Sequence, residues 1–167
     1  ALKRGARIYA EVLGHASSSD AFHIAALDPE GSGAIRSMRW ALEDAHLNID
    51  EIQYINAHGT STQANDAMET LAIKRVFGEQ AYNIAISSTK SMLGHALGGS
   101  GAIEAIACAM SLFEKILHPT INYQTPDPEC DLDYVPNEAR DMPTLKYVMS
   151  NSFGLGGQNA SIILGTI

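Results

Sequence analysis

The sequence lacks any apolar run approaching the roughly 18 residues that cross a bilayer as a helix. Its start also lacks the basic, apolar and small-residue succession of a secretory leader, so a soluble protein is expected. Cysteine is scarce: Cys108 and Cys130 are too few and too unpatterned for a disulfide framework or a zinc ribbon, which points to a reducing compartment. Positive charge is in deficit as well. Eleven Lys and Arg against nineteen Asp and Glu leave a net charge of −8, whereas phosphate-backbone binding needs a concentrated positive surface. Basic pairs such as Lys74 with Arg75 remain as local docking points. No initiator methionine precedes Ala1, and a strand-like run, Ala6 to Leu13, follows almost at once, as in a fragment or a processed chain.

What is present is an ordinary globular composition. With 46% hydrophobic and 18% charged residues among 167, the chain can bury one substantial core, and one domain is expected. Ile35, Met38, Ala41, Leu42 and Ala45 recur at helical spacing, predicting an amphipathic helix over 33–47. A short strand is predicted at 52–55, a helix at 65–77 closed by Gly78, and a second strand at 83–87. The segment GAIEAIACAMSLF, 101–113, is apolar on nearly every face, which predicts a helix buried between two layers. All the prolines except Pro29 fall between His118 and Pro143, so that stretch reads as a long ordered loop. Strands at 146–150 and 160–164 flank a glycine-rich turn. The alternation predicts an α/β architecture, a mixed sheet covered by helices.

Three segments follow predicted strands and mix small with polar residues, as sites built on strand ends do. The first, NAHGTSTQAND, holds His58, which can move a proton or equally serve as a structural histidine satisfied by backbone groups. It also carries Thr60 and Thr62 on one side of an extended stretch. The second, SSTKSMLGHALGGSGAIEA, places Lys90 and His95 before the apolar helix, and Glu104 inside it, where a carboxylate requires a partner. The third, NSFGLGGQN, is rich in glycine. A phosphate-cradling reading fails because Gly99 and Gly101 have no third glycine in register and no Gly-Lys-Ser/Thr follows. A zinc site at His58 and His95 lacks a third ligand at any recognisable spacing.

INAHGTST followed by ND, SSTKSMLGH followed by GAIEA, and NSFGLGGQN together resemble β-ketoacyl-carrier-protein synthases of the elongating two-histidine kind, type II in particular. The resemblance runs over essentially the whole chain, including YAEVLGHASSSDAFHIAALDPEG and DPECDLDYVPNEAR. It implies the C-terminal half of a thiolase-like fold, a mixed five-stranded sheet covered by helices spanning 1–167, with residues 1–15 the last strand of the preceding half. It implies decarboxylative condensation of a malonyl thioester with an acyl-enzyme thioester in fatty-acid synthesis. His58 and His95 would donate hydrogen bonds to the malonyl carbonyl, Lys90 would sit close to His95 with Glu104 paired to it, and the Leu155 amide would serve the oxyanion hole. Thr60 and Thr62 match positions that hold the pantetheine arm, and Phe153 would pack behind the loop. Leu155 stands where phenylalanine is usual, and Gln63 where proline is common.

No cofactor is implied beyond a structural monovalent cation near Asn56, Glu104, Ser150 and Asn151. The implied partners are acyl carrier protein with phosphopantetheine-linked acyl and malonyl groups, the N-terminal half bearing the nucleophilic cysteine, and a second copy in a homodimer. The implied setting is the bacterial cytoplasm, or a plastid or mitochondrion. Neither cysteine here suits the role of nucleophile, because Cys108 lies in the apolar helix and Cys130 beside acidic groups that raise a thiol pKa. A thiolase would carry a cysteine in the last glycine-rich loop, and none is there. A non-catalytic chain-length-factor-like partner and a polyketide ketosynthase are the alternative readings.

Overall fold

The computed structural model describes all 167 residues, Ala1–Ile167. Side chains alternate across a strand, and in four strands both members of an adjacent pair are buried: Tyr54 and Ile55, Ala85 and Ile86, Val148 and Met149, Ile163 and Leu164. A sheet patterned this way must be covered on both faces. It consists of β1 (Glu11–Ser19), β2 (Tyr54–Asn56), β3 (Ala85–Ser87), β6 (Tyr147–Gly154) and β7 (Gln158–Gly165), in the spatial order β1-β7-β6-β2-β3. β2 runs parallel to β3 and β6, whereas β6 with β7 and β7 with β1 are antiparallel. A second, two-stranded sheet pairs β4 (Ile116–Leu117) with β5 (Arg140–Asp141). The expected mixed five-stranded α/β sheet is therefore present.

α1 (Ser32–Ala45) and α2 (Gln63–Phe77) cover one face, where Met38, Leu42, Ile73 and Phe77 pack with Ile55, Ile86, Met149 and Ile163. α4 (Ser100–Glu114) covers the other, where Cys108 and Leu112 pack with Tyr54, Ala85, Val148 and Leu164. A one-turn helix, α3 (Lys90–Leu93), follows β3. Gly14 permits the close approach of β1 to α1: a Cβ there would lie 2.5 Å from the Ala41 carbonyl oxygen. No helix is long and apolar enough to cross a membrane.

Two expectations change. The first strand begins later than Ala6, at Glu11, and pairs with β7 from Glu11 to Ser19, so it is an edge of this sheet. α4 is not buried all round. Glu104, Cys108 and Leu112 face the sheet, but Ile103, Met110 and Phe113 are partly open and Ile106 is 65% exposed. The sheet covers one side of this helix; on the other, Tyr9 and Arg7 of the N-terminal segment reach Phe113, and Ile106 stays open.

Candidate active site

The parallel strands β2 and β3 deliver their C-terminal ends side by side, and the loops that follow carry His58 and Lys90. Strand alternation puts Tyr54 and Asn56 towards the α4 face, and His58, just beyond the strand, meets Lys90 of α3, His95 of the loop before α4 and Phe153 of β6. The His58 and His95 rings lie edge to face, with centroids 5.5 Å apart, and the Phe153 ring is 5.9 Å from that of His58. Phe153 is itself buried in the core. The three sequence segments thus converge on one place. Leu155, in the turn between β6 and β7, has a side chain 78% exposed on the same loop.

Each ring has its Nδ1 engaged as an acceptor. The Leu97 backbone N–H donates to His95 Nδ1 at 3.1 Å, and Ser100 Oγ lies 2.9 Å from the same nitrogen. Lys90 Nζ, 3.4 Å from His58 Nδ1, has no lone pair to offer when charged and so donates to it. A neutral imidazole accepting at Nδ1 carries its proton on Nε2. Burial, then the charge of Lys90 and then His95, depress the His58 pKa to about 3, so it is neutral across the physiological range.

Lys90 forms a buried ion pair with Glu104, the partner that so apolar a helix demands. The resemblance puts Lys90 beside His95; the structure places it against His58, and His95 is oriented instead by Leu97 and Ser100. Burial raises the Glu104 pKa, while the hydrogen bond and charge of Lys90 pull it back. Thr60 and Thr62 have their hydroxyls 3.0 Å apart, and Thr62 also caps α2 by accepting from the Asn65 N–H. Capping satisfies an N–H that the first helical turn leaves without a partner.

The cation set divides. Asn56, Ser150 and Glu104 gather around Cys108, and both Asn56 Oδ1 and Glu104 Oε2 are buried without a hydrogen-bond partner. The Asn151 side chain points to the opposite face, donating to Met38 Sδ at 3.4 Å and accepting from Ser161 Oγ at 2.9 Å. No group of three or more His, Cys, Asp or Glu side chains is gathered as metal ligands. Burial drives the Cys108 thiol up to about 12, and burial raises that of Cys130, opposed by its hydrogen bond to Thr70 and joined by smaller pushes from Asp127, Asp66 and Glu129. Neither is poised as a nucleophile.

Three further positions act on the site without standing out in the sequence. Glu69 accepts from the His58 and Gly59 backbone N–H groups, each at 2.9 Å, and so fixes the turn that carries His58. Its signal was available: Asn65, Glu69, Ala72, Ile73 and Val76 form one buried stripe of α2, where a carboxylate needs a partner. Asp20 accepts from Asn159 Nδ2 at 2.7 Å and donates its N–H to the Gly157 carbonyl at 2.8 Å, clamping the Leu155 turn to the end of β1. Gly33 leaves room for that clamp, since a Cβ there would fall 1.9 Å from Asp20 Oδ1. The third is His118, half-buried behind β2 and β3. A polar cavity of about 770 Å³ adjoins Lys90, Thr60 and Glu69 and extends to Tyr134, but neither His58 nor His95 lines it.

Residues 9–124 match the family described as Beta-ketoacyl synthase, C-terminal domain. The 3-oxoacyl-[acyl-carrier-protein] synthase 2 of Synechocystis sp. is 56% identical over 162 residues, 97% of this chain and 39% of that protein. Its namesake from Staphylococcus aureus is 53% identical over 160 residues, 96% of this chain and 40% of that protein. Among solved structures, a type II polyketide acyl-carrier protein in complex with its ketosynthase bound to the hexaketide matches with a TM-score of 0.96 at 44% identity, over 99% of this chain and 40% of that one. A β-ketoacyl synthase from Burkholderia phymatum matches with a TM-score of 0.91 at 43% identity, over 99% of this chain and 40% of that one. The chain therefore spans about two fifths of the relatives it matches. With its thiolase-like half sheet, its two histidines and its buried Lys90–Glu104 pair, the chain belongs to the β-ketoacyl synthase family as a C-terminal domain.

Proposed function

We propose that the protein containing this chain is an elongating β-ketoacyl-carrier-protein synthase of fatty-acid synthesis. The observation that carries the reading is the edge-to-face pair of imidazoles, each with Nδ1 occupied and Nε2–H free to donate. Breaking the bond between the malonyl carboxyl carbon and the α-carbon leaves its electron pair as an enolate on the thioester. Two fixed donors at that oxygen stabilise the charge as it develops. The carbanion attacks the acyl thioester on a cysteine outside these residues. The resulting tetrahedral oxyanion takes the Leu155 N–H as one donor, and the cysteine thiolate then leaves. Lys90 and Glu104 hold His58 in one tautomer and do no covalent chemistry.

Thr60 and Thr62 face the pantetheine arm of substrates delivered by acyl carrier protein. The bare side of α4 and the exposed Leu93, Leu97 and Leu155 are the surface on which the cysteine-bearing half packs, the whole protein being a homodimer. The two buried, unpartnered oxygens of Asn56 and Glu104 suit a monovalent cation, which would satisfy both oxygens and take no part in the reaction. Two free cysteines accord with a bacterial cytoplasm or an organelle matrix. A chain-length-factor-like partner has no need of a buried Lys–Glu pair trained on a neutral histidine, which favours the catalytic reading. In the full-length protein, His58→Ala is expected to lower malonyl decarboxylation about 100- to 1000-fold. Unchanged CO2 release and condensation would refute the assignment.

A further inference from the structure

His118 belongs to none of the motifs, yet it lies at the centre of a buried polar cluster. Its Nδ1 lies 3.2 Å from Ser87 Oγ, which can donate or accept, and 3.3 Å from the Pro119 carbonyl, which can only accept, so the proton resides on Nδ1 and Nε2 accepts. Thr89 Oγ1 lies 2.9 Å from Nε2 and Tyr54 Oη 3.0 Å, while Tyr54 Oη is also 2.8 Å from Ser87 Oγ. Asn56 Nδ2 donates to Thr89 Oγ1 at 2.6 Å, so the Thr89 hydroxyl proton is the one aimed at His118. This order of donors has a consequence on each side. It turns Asn56 Oδ1 away from Thr89, towards the space it shares with Ser150 and Cys108, and it fixes Thr89, the residue on which α3 and Lys90 begin.

The segment after His118 grips the same stretch by other means. The Ser88 N–H donates to Thr120 Oγ1 at 3.1 Å, and the Ile121 N–H donates to Ser91 Oγ at 3.0 Å. Ser88 Oγ in turn donates to the Gly59 carbonyl at 2.7 Å, tying the Lys90 strand end to the His58 turn. These contacts hold the backbone whether or not the imidazole is present. What His118 adds is the direction of the hydrogen bonds around Thr89, one residue from the ammonium that contacts His58.

We propose that His118 is a positioning residue for the decarboxylation half-reaction, acting through Thr89 to set Lys90 and thereby the Nε2–H of His58. The proposal rests on the condensing-enzyme reading above. It predicts an asymmetry: the step that uses His58 is sensitive to His118, and acyl transfer onto the cysteine is not.

The test measures the two half-reactions separately in the full-length synthase. His118→Leu, which fills similar space without an acceptor, is expected to lower the kcat of malonyl decarboxylation about 10- to 100-fold, the scale of a small misplacement at a reacting centre. KM and the rate of cysteine acylation should stay within about twofold, as for a lost interaction made in the transition state alone. His118→Gln, whose Oε1 can accept from Thr89, should recover most of the loss. Thr89→Val removes the same link with little change of shape and should reproduce it, deciding the matter should His118→Leu not fold. An equal fall in both half-reactions, no fall in decarboxylation, or no recovery in His118→Gln would overturn the proposal. A wild-type protein that acylates its cysteine but releases no CO2 would instead overturn the functional reading.

Discussion

Glu69 should make the stability of this fold depend on pH in a sense opposite to that of a typical surface carboxylate. Its carboxylate bridges the His58 and Gly59 amides but lies in the core, and burial outweighs those two hydrogen bonds and the nearby Lys90, raising its pKa from 4.5 to about 7. Between those values the folded protein holds a proton that the unfolded chain has lost, so stability is highest at the acid end of the window and falls as pH rises through it. At about 1.4 kcal/mol per pH unit, the gap is worth about 3 kcal/mol. His58 works the other way: its pKa falls from 6.5 to about 3, so acid below about 6.5 favours the unfolded chain. Wild type must therefore be compared with Glu69→Gln, in which His58 still titrates and Glu69 does not. The glutamine keeps one acceptor for the two amides and leaves one N–H unmatched, a cost of about 1–3 kcal/mol that does not titrate. Urea unfolding at pH 5 and pH 8 should give a wild-type-minus-variant difference that shrinks by about 2.5 kcal/mol towards the alkaline side, part of the gap being already lost at pH 5. A difference that is constant with pH, or that grows with pH, would refute the reasoning.

Other outcomes follow from the same geometry. Glu104→Ala strands the Lys90 ammonium in the core and should cost about 3–5 kcal/mol in denaturant unfolding, whereas Lys74→Ala, which breaks an exposed pair with Asp131, should cost at most about 1 kcal/mol. Asp20→Ala removes the acceptor of Asn159 and should lower stability by about 1–3 kcal/mol; slower cysteine acylation in a thiol-release assay would show that the Leu155 turn has loosened. Leu112→Ala, at a buried site under α4, should cost about 2–5 kcal/mol. With its thiol at about 12, Cys108 should resist iodoacetamide at pH 8 until urea unfolds the chain, a course that mass spectrometry of the labelled peptide can follow.

The fold was legible where apolar periodicity is strong. α1, α2 and α4 lie within a few residues of their expected spans, and β6 and β7 enclose the expected turn. The strand ends were less legible, because polar residues continue the pairing: β1 runs on through Ser17, Ser18 and Ser19, and β6 through Asn151 and Ser152. The histidines, Lys90 and Glu104 were readable because each sits where its chemistry is out of place, a charge in an apolar helix or an imidazole at a strand end. Which histidine Lys90 touches was not readable, since sequence distance does not say how α3 turns. His118 and Asp20 were hidden for a related reason: one precedes a proline in a loop and the other follows a serine run, and only tertiary packing brings them to Thr89 and Asn159. The outer side of α4 has the opposite lesson, for its apolar composition predicted burial between two layers, whereas Ile106 is open and only Phe113 is met by Tyr9 and Arg7.

Two imidazole donors aimed at one oxygen are the centre of the proposed chemistry. A crystal structure of the full-length protein with a malonyl thioester analogue that cannot lose CO2 tests this most directly. The thioester oxygen should lie about 2.7–3.1 Å from Nε2 of both His58 and His95. An analogue bound with its carbonyl directed elsewhere, into the cavity beside Tyr134 for instance, or met by only one ring, would contradict it.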